Sequence, residues 1–287
     1  MNPLAIVAQV LRIAVPYLFA AAGGVIAERS GIISLTLEGY MLGGAFAGVL
    51  GAYYSGSPTV GVLCGIGGGV ILALIHAIAS IRFRADQVVV GIAINLFAVG
   101  MTRFFLKLVF GSSSNSPRVN GFGSGLAGFA NPLVWLGLLA TPVVAFLLYR
   151  TAFGLRVRAS GEKPDAAESV GVNVPRIRYL AVVLSGVLAA LGGVYLALDQ
   201  HQFTDQMTAG RGFIAVAAVI FGRWSPLRVG AACLLFAAAE TLQIHLQGNH
   251  AVASQFVEMI PYALTIIALA GVVGKSLVPA ALGRAEG

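Results

Sequence analysis

The sequence predicts an all-α, polytopic membrane protein of about nine transmembrane helices, with eight to ten as the range. Three observations carry this expectation: a composition too apolar for water, a series of apolar runs of spanning length, and an uneven placement of Lys and Arg between them. Of 287 residues, 58% are apolar and 10% are charged, with a mean hydropathy of +0.89. A soluble domain carries about 25% charged residues to solvate its surface. Water is therefore not the solvent for most of this surface.

A spanning helix needs about 20 mostly apolar residues. Such runs lie near 4–25, 34–55, 58–80, 87–110, 131–150, 178–198, 226–246 and 252–273, and a shorter one covers 212–222. No Lys or Arg precedes the first run, Arg12 interrupts it and further spans follow, so it reads as a retained helix and not as a signal peptide. The second and third runs carry Gly39, Gly43, Gly44 and Gly48, then Gly61, Gly65 and Gly69, at four-residue spacings that give each helix a smooth face for close packing or, alternatively, a lipid-facing stripe. Two long loops separate the runs: 111–131, rich in Ser, Gly and Asn, and the charged stretch 151–178. Cys64 and Cys233 fall inside apolar runs and read as small buried residues rather than a disulfide or metal framework.

Orientation follows from placing the charged stretch in the cytoplasm and letting each run, the short one included, cross once. Cytoplasmic segments then hold 13 of the 18 Lys and Arg residues, and external loops hold only Arg118 and Arg211. Arg12, Arg103 and Lys107 lie within helices near their outer ends, where long side chains snorkel to the headgroups. The tally predicts nine crossings and a cytoplasmic C-terminus. It also explains a net charge of +7 without nucleic acid, since the basic residues are spread over short loops and form no basic domain.

The chain echoes itself. Gly23-Gly24-Val25, Glu38-Gly39-Tyr40 and Ser57-Pro58 are matched in order by Gly192-Gly193-Val194, Arg211-Gly212-Phe213 and Ser225-Pro226, and each set leads into a helix with a histidine, His76 or His245. The first set starts on an inward-running helix and the second on an outward-running one, so the two repeats, about 4–110 and about 178–273, are expected to be inverted within one domain spanning 1–287. Interrupted segments in corresponding positions point to a polar path near the midplane. They are 34–44 and 210–222 here.

In the charged stretch, Pro164 suits a first helical position, Asp165 favours the dipole of a starting helix, Ala166 and Ala167 are strong helix formers and Gly171 is a natural stop. A short cytoplasmic helix results, which from these features alone is either functional or an idle connector. Other motifs fail on context. Gly274-Lys275-Ser276 lacks the earlier Gly and the strand of a phosphate-binding loop; Gly123, Gly125 and Gly128 follow no strand; and HExxH, CxxC pairs and GxSxG are absent. No catalytic residue, metal ligand or cofactor is expected in this chain.

Residues 154–173 resemble the coupling loop of ABC-importer permeases of the branched-chain amino acid, ribose and nucleoside group. Glu28-Arg29-Ser30-Gly31-Ile32-Ile33 with Leu37-Glu38-Gly39, the stretch from Arg84 to Leu96, and Gly212-Phe213-Ile214-Ala215-Val216-Ala217 are similar to segments of its nucleoside-type members. The resemblance implies the permease fold of that group in the cytoplasmic (inner) membrane. It also implies import powered by cytoplasmic ABC ATPase subunits, a second related permease or a copy of this chain, an external substrate-binding lipoprotein and a surround of lipid. Gly161, Glu162, Pro164, Asp165, Ala166, Ala167 and Gly171, within the loop 151–177, would engage the ATPase. Family members often have Asn where Lys163 stands, and Lys cannot cap the following helix.

Substrate-path candidates are Glu38, Asn95, Arg211 and Phe213. Glu38 reads either as a ligand for substrate hydroxyls or an arginine, or as a membrane-surface carboxylate near Arg29. Asn95 offers a donor and an acceptor to a base or ribose edge, or to an interhelical packing bond. Arg211 either guides a polar solute or the delivery protein, or snorkels. Glu240 and Glu258 lie in apolar runs with no assigned partner, and they are the only acidic candidates for the rival reading, an ion-coupled secondary transporter. Sugar or branched-chain amino acid import are the alternatives within the group.

Overall fold

A computed structural model describes residues 3–123, 129–247 and 278–283, and every regular element among them is helical. The helices are α1 (Pro3–Arg29), α2 (Leu37–Ser55), α3 (Pro58–Ala77, continued by one π turn, Ile78–Arg82), α4 (Gln87–Phe110), α5 (Pro132–Arg150), α6 (Ala152–Glu162), α7 (Pro164–Ser169), α8 (Val174–Asp199), α9 (Arg211–Phe221) and α10 (Pro226–Gln247). The expected span near 252–273 with Glu258, the segment Gly274-Lys275-Ser276, Gly125, Gly128 and Arg284 lie outside the described residues.

Local chemistry sets most boundaries. The Asp86 carboxylate accepts from the Val88 and Val89 N–H groups, Asn131 from Leu133, Thr151 from Gly154 and Asn173 from Arg176, each supplying an acceptor to a first helical turn that lacks one. Pro58, Pro132, Pro164 and Pro175 occupy first-turn positions, where a missing N–H costs nothing. Helix α1 ends at Arg29 and is followed two residues on by Gly31, whose φ of +100° is a backbone state a side chain resists.

Six of these helices are long and apolar enough to cross a membrane: α1, α3 with its π turn, α4, α5, α8 and α10. Helix α2 is of comparable length but is buried along most of its course, including Leu37, Tyr40, Met41, Ala45 and Val49. It forms the centre of the bundle. Helix α9, with only 11 residues, rises about 16 Å, half of what a bilayer core demands.

The helices exchange partners between the repeats. Helix α1 packs against α8, α9 and α10, while α8 packs against α1, α2 and α3. The first helix of each repeat thus nests in the second and third helices of the other. Glycines allow this approach: a Cβ on Gly23 would lie 2.7 Å from the Ser185 carbonyl oxygen, one on Gly44 2.6 Å from the Ala190 Cβ, and one on Gly193 1.8 Å from the Met41 carbonyl oxygen. The small-residue stripes of α2 and α3 therefore face protein, with Gly65 and Gly69 against Val194, Gly186 and Ala190 of α8. Gly193→Ala forces α8 off the α2 backbone, and destabilisation of about 1–3 kcal/mol or more is expected. Thermal unfolding of the purified protein in detergent checks this, and an unchanged midpoint would contradict the packing.

Three expectations need correction. The stretch 151–177 holds two helices and not one, because α6 precedes the anticipated α7. Cys64 is exposed on α3, whereas Cys233 is buried as expected. Arg12 and Arg103 do not simply snorkel, since they pair with Asp199 at 3.0 Å and Asp205 at 2.6 Å.

Candidate substrate pathway and coupling surface

Two non-helical segments, 30–36 and 200–210, enter the bundle ahead of α2 and α9, and their backbone groups need partners that lipid cannot give. The first segment is served by side chains. Ile33 N–H donates to Gln87 Oε1 at 2.8 Å, the Ser34 hydroxyl donates to Glu28 Oε1 at 2.7 Å, and Asn95 bridges both sides of the break. Its Nδ2 donates to the Leu35 carbonyl and its Oδ1 accepts from Gly39 N–H, both at 2.8 Å. The second segment pairs with the loop that follows α4: Ser116 and Val119 N–H donate to the Phe203 and His201 carbonyls, and Asp205 N–H to the Ser114 carbonyl.

The two breaks meet at Glu38. Its Oε1 accepts from the Thr208 hydroxyl at 2.6 Å and from Gly210 N–H at 2.9 Å, and its Oε2 accepts from Gly212 N–H at 2.6 Å. The N-cap position of α9 is Gly210, which has no side chain to cap with, so α2 supplies the cap from the other repeat. Glu38 also lies in the first turn of its own helix, so the positive ends of two helix dipoles converge on one carboxylate. Beside it, Arg211 donates from Nη2 to Glu240 Oε1 at 2.7 Å, and Glu240 accepts from the Tyr17 hydroxyl. Arg211, Glu38 and Asn95 are thus brought to the junction of the broken segments, while Phe213, in the first turn of α9, is 48% exposed. The expected His76 helix contributes as well: His76 is buried, and its Nδ1 lies 2.6 Å from the Tyr40 hydroxyl and 3.0 Å from the Thr36 hydroxyl.

A cavity of about 490 Å³ descends to this junction between α1, α8 and α10. Its lining runs from Ala5 and Ala8 past the Arg12–Asp199 pair to Pro16, Ile244 and Arg211.

At the opposite pole, Arg29 Nε donates to the Trp224 carbonyl at 3.0 Å and Trp224 Nε1 donates to Glu28, tying the end of α1 to the turn after α9. The loop carrying α6 and α7 is anchored to the same place. A Cβ on Gly161 would lie 2.2 Å from the Arg29 carbonyl oxygen, Arg29 pairs with Glu162 at 3.5 Å, and the buried Arg178 donates to the Ser30 and Ser160 carbonyls. Arg178, counted in the sequence as one more loop charge, is a structural bolt here. Outward, the loop presents Glu162, Lys163, Asp165, Ala166, Glu168, Ser169 and Val170, with Ala167 turned in, Pro164 partly covered and Gly171 exposed at φ +83°. Lys163 precedes α7 without a side-chain cap.

Comparison with known proteins gives this geometry a family. The family described as branched-chain amino acid transport system / permease component matches residues 6–269. The guanosine ABC transporter permease protein NupQ of Bacillus subtilis is 38% identical over 97% of this chain and 95% of its own. The nucleoside ABC transporter permease protein NupC of Lactococcus lactis is 34% identical over the same shares, and a putative glucose ABC transporter permease of Haloferax volcanii is 37% identical over 80% of this chain and 74% of its own. Among solved structures, an inward-facing conformation of a putative metal-chelate type ABC transporter superposes with a TM-score of 0.56, covering 92% of this chain and 84% of that one at 14% identity, which speaks for the fold alone. With its interlocked helical repeats and a match spanning nearly its whole length, the chain belongs to the permease-component family of the branched-chain amino acid transport systems and is a multi-pass membrane permease subunit of the ABC type.

Proposed function

We propose that this chain is the translocating subunit of an ATP-driven importer that carries nucleosides across the cytoplasmic membrane. The observation that carries the reading is identity of 38% and 34%, sustained over nearly the full length, to permeases named for guanosine and nucleoside transport. The chain performs no chemistry. ATP hydrolysis takes place in separate cytoplasmic subunits, a second related permease or a copy of this chain completes the pore, and an external substrate-binding lipoprotein delivers the solute. With α9 counted as a crossing and a further span at 252–273, the chain crosses nine times and its C-terminus is cytoplasmic.

The mechanism assigns movement to the broken segments. The exposed face of α6 and α7, from Gly161 and Glu162 through Pro164, Asp165, Ala166 and Ala167 to Gly171, follows the ATPase as it closes. That displacement passes through Arg29 to Trp224 and so to α9, whose N-terminus is held at Glu38. ATP binding shifts the balance between two states of the bundle, and the solute crosses because its path opens to one side at a time. Glu38, Asn95, Arg211 and Phe213 flank that path.

The test is a single exposed residue. Ala166→Arg leaves every contact of the fold in place, because the side chain points away from the bundle. Membrane insertion is expected at the wild-type level, while uptake of radiolabelled guanosine into proteoliposomes holding the complete importer falls about tenfold or more and the ATPase co-purifies poorly, as truncating or blocking an interface centre does. Unimpaired uptake would remove the loop from its assigned role. Uptake of glucose but not of nucleosides would favour a sugar importer, for which the Haloferax relative is the supporting observation.

A further inference from the structure

We infer that the cavity between α1, α8 and α10 is an outward-facing binding site for the solute within this single subunit, shaped for a neutral solute that joins a flat aromatic base to hydroxyl groups. This rests on the nucleoside-importer reading and adds a place and a charge preference to it.

Position is the first argument. The cavity is lined by Ala5 and Ala8 at one end and by Pro16 and Arg211 at the other. Pro16 lies eleven positions along α1 from Ala5, a depth of about 16 Å. Arg29, at the far end of α1, is bound to the cytoplasmic loop, so the mouth at Ala5 opens on the external side. The floor at Arg211 is one residue from Gly210 and Gly212, whose N–H groups Glu38 holds. A solute resting there touches the joint that must part for passage.

Chemistry is the second argument. Both guanidinium groups of the cavity are already matched, Arg12 by Asp199 at 3.0 Å and Arg211 by Glu240 at 2.7 Å. An anion or a cation entering would have to compete with one of these pairs, of which Arg211–Glu240 is the more buried, whereas a neutral ligand leaves both intact. The remaining polar lining, Gln9, Gln200 and Tyr195, offers amide and hydroxyl donors and acceptors together. Arg12 Nε is buried without a hydrogen-bond partner among the described residues, a donor held ready beside the cavity. Ile13, Leu196 and Ile244 provide the apolar walls against which a flat base can lie. A volume of about 490 Å³ falls within the roughly 300–1,000 Å³ usual for small-molecule sites. A neutral nucleoside meets these conditions; a nucleotide, with its phosphate, and a zwitterionic amino acid do not.

The experiment uses the complete importer in proteoliposomes, with Cys64→Ser and Cys233→Ala as background. Ala8→Cys reports on the mouth, and Thr59→Cys, at the external start of α3, is the control. A membrane-impermeant thiol reagent is added from outside with and without guanosine, adenosine or uridine. At a nucleoside concentration about ten times its half-saturating value, labelling of Ala8→Cys is expected to slow about tenfold while the control is unaffected. Ala8→Trp, which fills the mouth, should lower uptake about tenfold or more. Failure of Ala8→Cys to label from outside, or labelling at one rate with and without the solute that the vesicles import, overturns the site. Wild-type uptake measured in the same vesicles separates this from the nucleoside reading: import of glucose alone, with protection by glucose, keeps the cavity and overturns its ligand class.

Discussion

Replacing Glu38 with Ala is expected to leave a protein that reaches the membrane but unfolds well below the wild type in detergent. The substitution removes the acceptor of the Thr208 hydroxyl and of the Gly210 and Gly212 N–H groups together. A buried donor left unpaired costs about 1–3 kcal/mol, so three put the loss at several kcal/mol, a large share of a typical total stability of about 5–15 kcal/mol. Glu38, Thr208 and Gly212 are buried and Gly210 is half-buried, so bulk water replaces the lost acceptor poorly. Glu38→Gln should fall between the two. Its carbonyl oxygen retains one or two of the donors, but its amide group turns a second donor toward a helix end that already carries partial positive charge. Thermal unfolding of the three proteins, read by tryptophan fluorescence or by loss of monodisperse material on heating, should rank them wild type, Gln, Ala. Coincident curves for Ala and wild type would mean that α9 keeps its position without the cap.

The same site shows where sequence reading stops. A run of 11 apolar residues after Gly210 announces a short helix, and Glu38 after a polar break announces a helix start. That one caps the other across 172 positions of sequence is not written in either segment, because a cap given by another helix depends on the fold and not on spacing. Asn95 and Gln87 are similar. Asn95 stands out as a polar residue inside an apolar helix and Gln87 as one at its start, yet the backbone they satisfy, at Leu35, Gly39 and Ile33, lies around the start of α2, 54 to 60 positions earlier. The charge tally counted Arg29 and Arg178 alike toward an expected cytoplasmic face, but counting charge gives no direction to a side chain, and Arg178 points inward to hold Ser30 and Ser160. Helix α6 escaped notice for a related reason. Gly154, Ser160 and Gly161 depress its propensity, and those small residues are what let it lie against Leu147, Leu148 and Arg29. Composition and run length sufficed for the six described helices that are long and apolar enough to cross a membrane, since a bilayer imposes length and apolarity on each helix separately.

Gly161→Val is the second substitution expected to have a large effect, and it acts from inside the loop whose outer face Ala166 presents. A Cβ at position 161 would lie 2.2 Å from the Arg29 carbonyl oxygen and 2.9 Å from its carbon, and backbone cannot yield as a flexible side chain can. Helix α6 must therefore lift away from α1. It then loses the Arg178 bond to the Ser160 carbonyl, the Arg29–Glu162 pair and the bond from Ala281 N–H to the Gly161 carbonyl, which is 2.9 Å long. The spans themselves are untouched, so insertion should be normal, and the face offered to the ATPase keeps its residues, so the ATPase should still co-purify. What fails is transmission: with α6 no longer seated on Arg29, movement of the loop does not reach Trp224 or α9. The expected signature is ATP hydrolysis at a substantial rate with about tenfold less solute imported per ATP, as a small displacement of a positioning element can produce. Ala166→Arg, by contrast, loses uptake and ATPase binding together. Wild-type solute imported per ATP in Gly161→Val would show that the ATPase reaches α9 by a route other than the seat of α6 on Arg29.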